Sequence, residues 1–445
     1  MGPDRMQGRY YIRSFGCQMN EHDAERIRAL LEARGLERAD EPHDADVLVY
    51  NTCTVRKSAD DRLAGHLGTA ARLKREDPSR VVLVTGCLPQ AEQAEFFARF
   101  PFVDGALGPQ NLHRLPDLLE AAVEPAGASP AGFFEDGPHL SGRLAARRER
   151  PFQAWVQVMS GCTNFCSYCI VPYVRGPERS RSVDEIVAEV QGLVADGVRE
   201  VTLLGQNVNA YGRDLHGGGE AAPSFAGLLR ELDAVEGLER IRFMTSHPKD
   251  LGDDLVAAVA ELPSVCEHVH LPAQAGSDRV LRRMRRGYTS VEYLDRVRAL
   301  RAAVPDVSLT TDLIAGFPGE TEQDFEQTLE LVREAAFDAA FTFVFSPRQG
   351  TAAADLPDQV PPEVRRKRVE RLIDLTQRQA LASRQAWVGR RTEVLVEGAS
   401  RDGRLRRGRT RQNVTVNLSG AAEPGAIVTV EVTAATSTTL RGVTV

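Results

Sequence analysis

Trp155-Val156-Gln157-Val158-Met159-Ser160-Gly161-Cys162-Thr163-Asn164-Phe165-Cys166-Ser167-Tyr168-Cys169 runs from a short apolar strand into three cysteines spaced four and three residues apart. Three thiolates at that spacing can converge on one small metal cluster. A cubane of four irons and four sulfides normally takes four protein ligands, and no fourth cysteine lies nearby in sequence. One iron is therefore left open to bind a substrate. The competing reading is a zinc knuckle, but zinc closes its shell with four ligands, usually in two closely spaced pairs, and no partner pair follows. The spacing and the missing fourth ligand both favour the cluster.

Three further cysteines follow a different rule. Tyr10 to Phe15, Val47 to Tyr50 and Val81 to Thr85 are short apolar runs of the kind that form buried parallel strands. A cysteine comes just after each: Cys17, Cys53 and Cys87. Helical patterns over Asp23 to Arg34 and Ser58 to Arg75 separate the strands, and an open α/β sheet binds its ligands beyond the carboxyl ends of its strands. These three cysteines are expected at one rim, holding a second 4Fe-4S cluster with one free iron. Unrelated core thiols are the alternative, but core cysteines have no reason to recur at the same end of successive strands.

Residues 8–124 thus read as an N-terminal open parallel α/β domain, and 125–150, rich in Pro, Gly, Ala and Arg, as a linker. Over 151–386 strands alternate with helix-length segments: Trp155 to Met159, Glu200 to Leu204, Ile241 to Thr245, Cys266 to Leu271, Ser308 to Leu313 and Phe341 to Phe345. Ser182 with Glu185 marks the start of the first helix. Six strand-helix units require a parallel sheet with helices outside, and barrels of this kind carry their sites at the C-terminal ends of the strands. Gln206, Asn207, Ser246, His247, Gln274, Asp312, Gly316 and Phe317 fall at that rim, as does Tyr168 within the cysteine loop. Thr321 and Asp324 can cap the helix that follows Gly316 to Glu320. His247 is expected to be chiefly structural, and Cys266 a core residue.

The last segment, 387–445, has five short alternating strands: Thr392 to Val396, Arg404 to Arg407, Asn413 to Asn417, Ile427 to Glu431 and Thr438 to Val443. They suggest a small antiparallel β-barrel of the type that binds oligonucleotides. Arg401, Arg404, Arg406, Arg407, Arg409 and Arg411 crowd one stretch beside a single acid, Asp402. A solvated face is the plain reading, yet such density in a chain of net charge -7 marks a local phosphate contact surface.

Cys-x3-Cys-x2-Cys with Tyr168 before the last cysteine resembles the signature of the radical SAM superfamily. Six strand-helix units resemble its partial (βα)6 barrel, and Leu313 to Glu320 resembles its adenine-lining motif. The three parts together resemble a methylthiotransferase: a cysteine-bearing N-terminal domain, a radical SAM core and a TRAM domain that binds RNA. Cys169-Ile170-Val171-Pro172-Tyr173-Val174-Arg175-Gly176, Glu178-Arg179-Ser180-Arg181, His270 to Ser277 and Gly408 to Asn413 point to the MiaB-type branch, with small departures at Ala273, Ala275 and Gln412.

That resemblance implies two 4Fe-4S clusters, one on Cys162, Cys166 and Cys169 and one on Cys17, Cys53 and Cys87. It implies S-adenosyl-L-methionine at Tyr168, Gln206, Asn207, Ser246, Gln274, Asp312, Gly316 and Phe317, and RNA at the arginine run. The implied reaction replaces the hydrogen on carbon 2 of N(6)-(dimethylallyl)adenosine, beside the tRNA anticodon, with a methylthio group. One S-adenosylmethionine methylates the sulfur and a second is cleaved to a radical. The implied partners are the tRNA anticodon arm, an electron donor such as a flavodoxin or ferredoxin, and a sulfur donor. Sister branches act on a ribosomal-protein aspartate or on threonylcarbamoyl adenosine, and a noncatalytic iron-sulfur RNA-binding protein is the rival outside the enzymes.

The 445 residues suffice for about three domains. Seven cysteines are too few for a secreted disulfide scaffold, no apolar run approaches ~18 residues, and the first residues lack the apolar stretch of a signal peptide. A cytoplasmic monomer with no membrane contact is expected.

Overall fold

The computed structural model describes residues 8–16, 18–54, 57–123, 130–135, 144–215 and 222–445. Two compact units make up the chain. The first holds residues up to Glu149 together with 160–163 and 169–179, and the second holds the rest.

In the first unit six strands lie side by side, all parallel: β1 (Arg9–Ser14), β2 (Glu37–Arg38), β3 (Val47–Thr52), β4 (Val81–Gly86), β5 (Gly105–Leu107) and β6 (Ala131–Phe133), in the order β2-β1-β3-β4-β5-β6. Every residue of β3 and β4 is buried, as their unbroken apolar runs require of strands covered on both faces. Helices Gln18–Ala33 and Lys57–Glu76 supply crossovers. The stretch expected to be linker is partly structured, because Ala131 to Phe133 add β6 to the edge of the sheet beside β5.

The second unit carries the repeated βα alternation. Its strands are β7 (Gln153–Gln157), β10 (Glu200–Leu204), β11 (Arg240–Phe243), β12 (His268–His270), β13 (Ser308–Ala315) and β14 (Ala339–Val344); the short β8 (Met159–Ser160) and β9 (Arg179–Ser180), which flank the cysteine loop, have one residue in each unit. Parallel sheets β11-β10-β7 and β12-β13-β14 are joined by a parallel bridge from Ile241 to Val265. The result is the expected six-stranded partial barrel. Leu203, Ile241, Val269, Leu309 and Leu313 face its surrounding helices in one continuous core.

A closed barrel of five strands ends the chain: β15 (Arg391–Ala399), β16 (Arg406–Thr410), β17 (Thr415–Ser419), β18 (Ile427–Ala435) and β19 (Thr439–Thr444). Its pairings are antiparallel except β17 with β19, which run parallel. That one pairing corrects the purely antiparallel expectation. Among the described residues no helix is long and apolar enough to cross a membrane.

Candidate radical SAM site

In the first unit, strand register sets the cysteine positions. Ser14 pairs with Asn51 and Thr52 with Gly86, so the chain leaves β1, β3 and β4 at nearly one level. Cys53 follows β3, Cys87 opens helix Cys87–Glu92 after β4, and both are buried. Cys17 lies outside the described residues. The loop before it does come close: a Cβ on Gly16, at φ +144°, would sit 2.6 Å from Cys53 Cβ.

A polar lattice that sequence reading did not find holds these ends together. Asn20 Nδ2 donates to Asn51 Oδ1 at 3.1 Å and to Thr52 O at 2.9 Å, while Asn51 Nδ2 donates to Asn20 O at 2.7 Å. Thr52 Oγ1 donates to Thr85 O at 2.8 Å. These side chains are buried, so each unmade bond would cost its full desolvation. Asparagine directly after an apolar strand was the available signal. Cys87 also packs against Ile170 and Val174, just beyond Cys169.

The three-cysteine loop is shaped by its backbone. Gly161 has φ +74°, and any Cβ there would collide with Pro177 O, which is why glycine precedes Cys162. Cys162 N donates to Gly176 O at 3.1 Å. Further along, Ser167 N donates to Met284 O at 3.0 Å and Ser167 Oγ to Arg283 O at 2.8 Å. Cys162 and Cys166 are buried, Cys169 partly so. Among the described residues no three His, Cys, Asp or Glu side chains are gathered tightly enough for a single ion. A four-iron cluster does not ask for that, because each thiolate binds a different iron.

In the second unit the rim residues show what kind of ligand they would fit. Asn207 Oδ1, Ser246 Oγ, His247 Nε2, Gln274 Oε1 and Asp312 Oδ1 are all buried without a hydrogen-bond partner. Buried polar atoms are normally satisfied, so five such atoms at the C-terminal ends of neighbouring strands fit a polar ligand. Neighbouring groups position three of them. Asn207 Nδ2 donates to Asp250 Oδ2 at 2.8 Å, Gln274 N donates to Asp312 O at 2.9 Å, and Asp312 Oδ1 stands 3.6 Å from His270 Nε2. Gln206 is half-buried beside Asn207. These atoms suit an S-adenosylmethionine bearing amino, carboxylate and ribose hydroxyl groups.

His247 belongs to this set more firmly than its sequence suggested. Its Nδ1 accepts from Lys249 N at 3.3 Å, which leaves the proton on Nε2. Burial, reinforced by the positive charges of Arg286, Lys249 and Arg213, pushes its pKa down to about 2. It is a neutral donor at the rim.

Two expected contacts change character. Phe317 is fully buried, its ring 5.3 Å from that of Phe345 in a core with Val280, Leu281 and Met284, so its side chain is spent on packing. Gly316 N donates to Glu320 Oε1 at 3.0 Å, and Arg368 Nη1 holds the same oxygen at 2.8 Å. Burial raises the Glu320 pKa to about 7. Thr321 and Asp324 form a full capping box beside it.

Acids of the fold pair with part of the arginine run. Arg411 pairs with Glu267 through Nε at 2.9 Å, and Arg409 Nε with the buried Glu397 at 2.8 Å. Arg242, on β11, donates to Arg411 O at 2.7 Å and Thr410 O at 2.8 Å, and Arg240 to Arg409 O at 3.0 Å. The end of β16 therefore docks onto the parallel barrel, where Arg411 is committed, while Arg409 is held within its own barrel by Glu397 and by Asn413 Oδ1 at 3.0 Å. Arg407 lies 3.6 Å from Glu397 and Arg406 3.9 Å from Glu423. Only Arg401 and Arg404 of the six are fully exposed. Cys266 is buried, as expected, and burial raises its thiol pKa against the pull of Arg242.

A partial parallel barrel with a three-cysteine loop after its first strand defines a radical SAM protein, and the radical SAM superfamily matches residues 156–332. The TRAM domain matches 385–445, and a family described only as uncharacterized protein family UPF0004 matches 9–108. A solved radical S-adenosylmethionine methyltransferase, TsrM from Kitasatospora setae, has a similar fold, with a TM-score of 0.55 at 13% identity over 79% of this chain and 74% of its own. Proteins named tRNA-2-methylthio-N(6)-dimethylallyladenosine synthase from Caldicellulosiruptor saccharolyticus and Acidothermus cellulolyticus are 47% and 49% identical, over 93% and 97% of this chain and 87% of each relative. The chain belongs to that family, and it is an enzyme.

Proposed function

We propose that this chain methylthiolates carbon 2 of N(6)-(dimethylallyl)adenosine next to the anticodon of tRNA. What carries the reading is identity of nearly half the residues, along nearly the whole chain, to relatives of that name. Cys162, Cys166 and Cys169 would hold one 4Fe-4S cluster, and Cys17, Cys53 and Cys87 a second. Bound there, the clusters supply reductive cleavage of S-adenosylmethionine and an open iron for the transferred sulfur.

The chain's own residues do the rest. Asn207, Ser246, Gln274 and Asp312 offer S-adenosylmethionine its polar contacts, with Gln206 and Tyr168 beside them, Gly316 and Phe317 contributing backbone, and His247 adding an Nε2 donor. Burial of these groups excludes water that would quench a radical. Arg401 and Arg404, with Arg406 and Arg407 behind them, reach phosphates. Segments 8–124, 125–150, 151–386 and 387–445 serve as cluster domain, connection, catalytic core and RNA-binding barrel. A flavodoxin- or ferredoxin-like electron donor, a sulfur donor and the cytoplasm complete the setting.

The test offers the reconstituted, reduced protein three substrates: prenylated tRNA, tRNA carrying threonylcarbamoyl adenosine, and the ribosomal-protein aspartate. Methylthio product on prenylated tRNA alone is expected. Product on either of the others instead would overturn the assignment. Iron content should fall by half when Cys17, Cys53 and Cys87 are all replaced by alanine, and an unchanged content would remove the second cluster.

A further inference from the structure

Arg286 is 5% exposed, and among the described residues no carboxylate pairs with it. Each of its three nitrogens is nonetheless directed. Nε donates to Tyr288 Oη at 3.1 Å, Nη2 to Pro272 O at 2.8 Å, and Nη1 to Tyr168 Oη at 3.4 Å and Cys166 Sγ at 3.5 Å. Tyr288 Oη is fixed in turn, donating to Ala273 O at 2.8 Å, and its ring lies 5.3 Å from the guanidinium. A buried charge without a counter-charge costs several kcal/mol. The guanidinium stays protonated in proteins, so this cation cannot escape the cost by titrating. Of the groups it touches, the two phenols ionise less readily than a thiol, and burial raises the Tyr288 phenol further. The Cys166 sulfur, a thiolate whenever it ligates iron, is thus the anion that this cation faces.

We infer that Arg286 is the counter-cation of the cluster held by Cys162, Cys166 and Cys169, and that it sets that cluster's reduction potential. The inference rests on the cluster assignment above. A 4Fe-4S cluster carrying three thiolates is anionic, and each added electron makes it more so. A fixed cation against one thiolate therefore favours the reduced form most, because an interaction inside low-dielectric protein is weakly screened. In the step concerned, one electron passes from a low-potential one-electron donor, dithionite in the test, to the cluster. No bond forms or breaks at Arg286 and no proton leaves it. Hydrogen bonds to cluster sulfurs and local charge are established levers on such potentials.

The test is a redox titration of the full-length, cluster-loaded chain followed by electron paramagnetic resonance. Only the signal that S-adenosylmethionine perturbs is read, so the second cluster is not counted. In Arg286→Gln the ratio of reduced to oxidised cluster at a fixed poise should fall about tenfold, a midpoint about 59 mV more negative. Arg286→Lys keeps the charge but not the fork, and should recover most of that shift. An unchanged midpoint in Arg286→Gln at full iron content overturns the inference. Equal shifts in the glutamine and lysine variants also overturn it, since they would mark a packing role. Should Arg286→Gln bind no iron, Arg286→Lys decides: a loaded cluster near the original midpoint supports the charge role, and loss of iron here too refutes it. Absence of the perturbed signal from the unaltered chain would sink the cluster assignment beneath, and the inference with it.

Discussion

Single residues at the strand ends carry much of the site. Gly86 has φ +102°, and a Cβ there would collide with Thr52 O beside Cys53. Gly86→Ala should destabilise the first unit by roughly 2–5 kcal/mol through strain and overpacking, read as a lowered denaturant midpoint; an unchanged midpoint would mean the strand ends are less tightly joined. His247 makes a second prediction. Its folded pKa lies far below its ordinary value near 6.5, so below about pH 6.5 the unfolded chain takes up a proton that the folded chain refuses. Its contribution is intact above that pH and declines as pH falls towards the folded value. Stability should drop on acidification by up to about 1.4 kcal/mol per pH unit from this group. His247→Asn should show a shallower drop, and equal slopes would contradict the buried neutral imidazole. Cys162, Cys166 and Cys169 stand out in the sequence by their spacing, and Cys53 and Cys87 by following apolar strands. Asn20 and Asn51 were not, because their role depends on strand register, which spacing does not encode.

At the scale of elements, parallel strands were legible as apolar runs, while β2, β5 and β6 were missed, being two or three residues long. The arginine run shows the limit of reading charge without partners. Arg409 and Arg411 look identical in sequence to Arg401 and Arg404, but Glu397, on the neighbouring strand, claims Arg409 and Glu267, far away in the chain, claims Arg411. The consequence can be measured. Arg411→Ala should cost about 1–3 kcal/mol, since it takes the cation from Glu267, to which Gln412 Nε2 still donates at 3.3 Å, and a donor from Val265 O, and should lower the thermal midpoint. Replacing Arg401 and Arg404 by alanine should leave that midpoint in place. Each phosphate contact thereby lost lowers the log-log salt slope of tRNA binding by roughly one. The reverse pattern, with Arg411 affecting only the salt slope, would contradict the docking role.

For the molecule as a whole, the strand-helix alternation and the closed terminal barrel followed from hydrophobic period, and the proposed chemistry rests on six cysteines. Counting strands already placed Asn207, Ser246, His247, Gln274 and Asp312 at one rim. That each has a buried atom without a partner there is visible only in the folded chain, and it is this that points to a ligand. Carbon 2 of the prenylated adenine is the centre of the account. Nucleoside mass spectrometry of tRNA from cells with and without this protein tests it most directly. The methylthiolated, prenylated adenosine should be present with the protein and replaced by its unmethylthiolated precursor without it. The methylthio product persisting at full level without the protein, in cells with no second copy of the enzyme, would contradict the account.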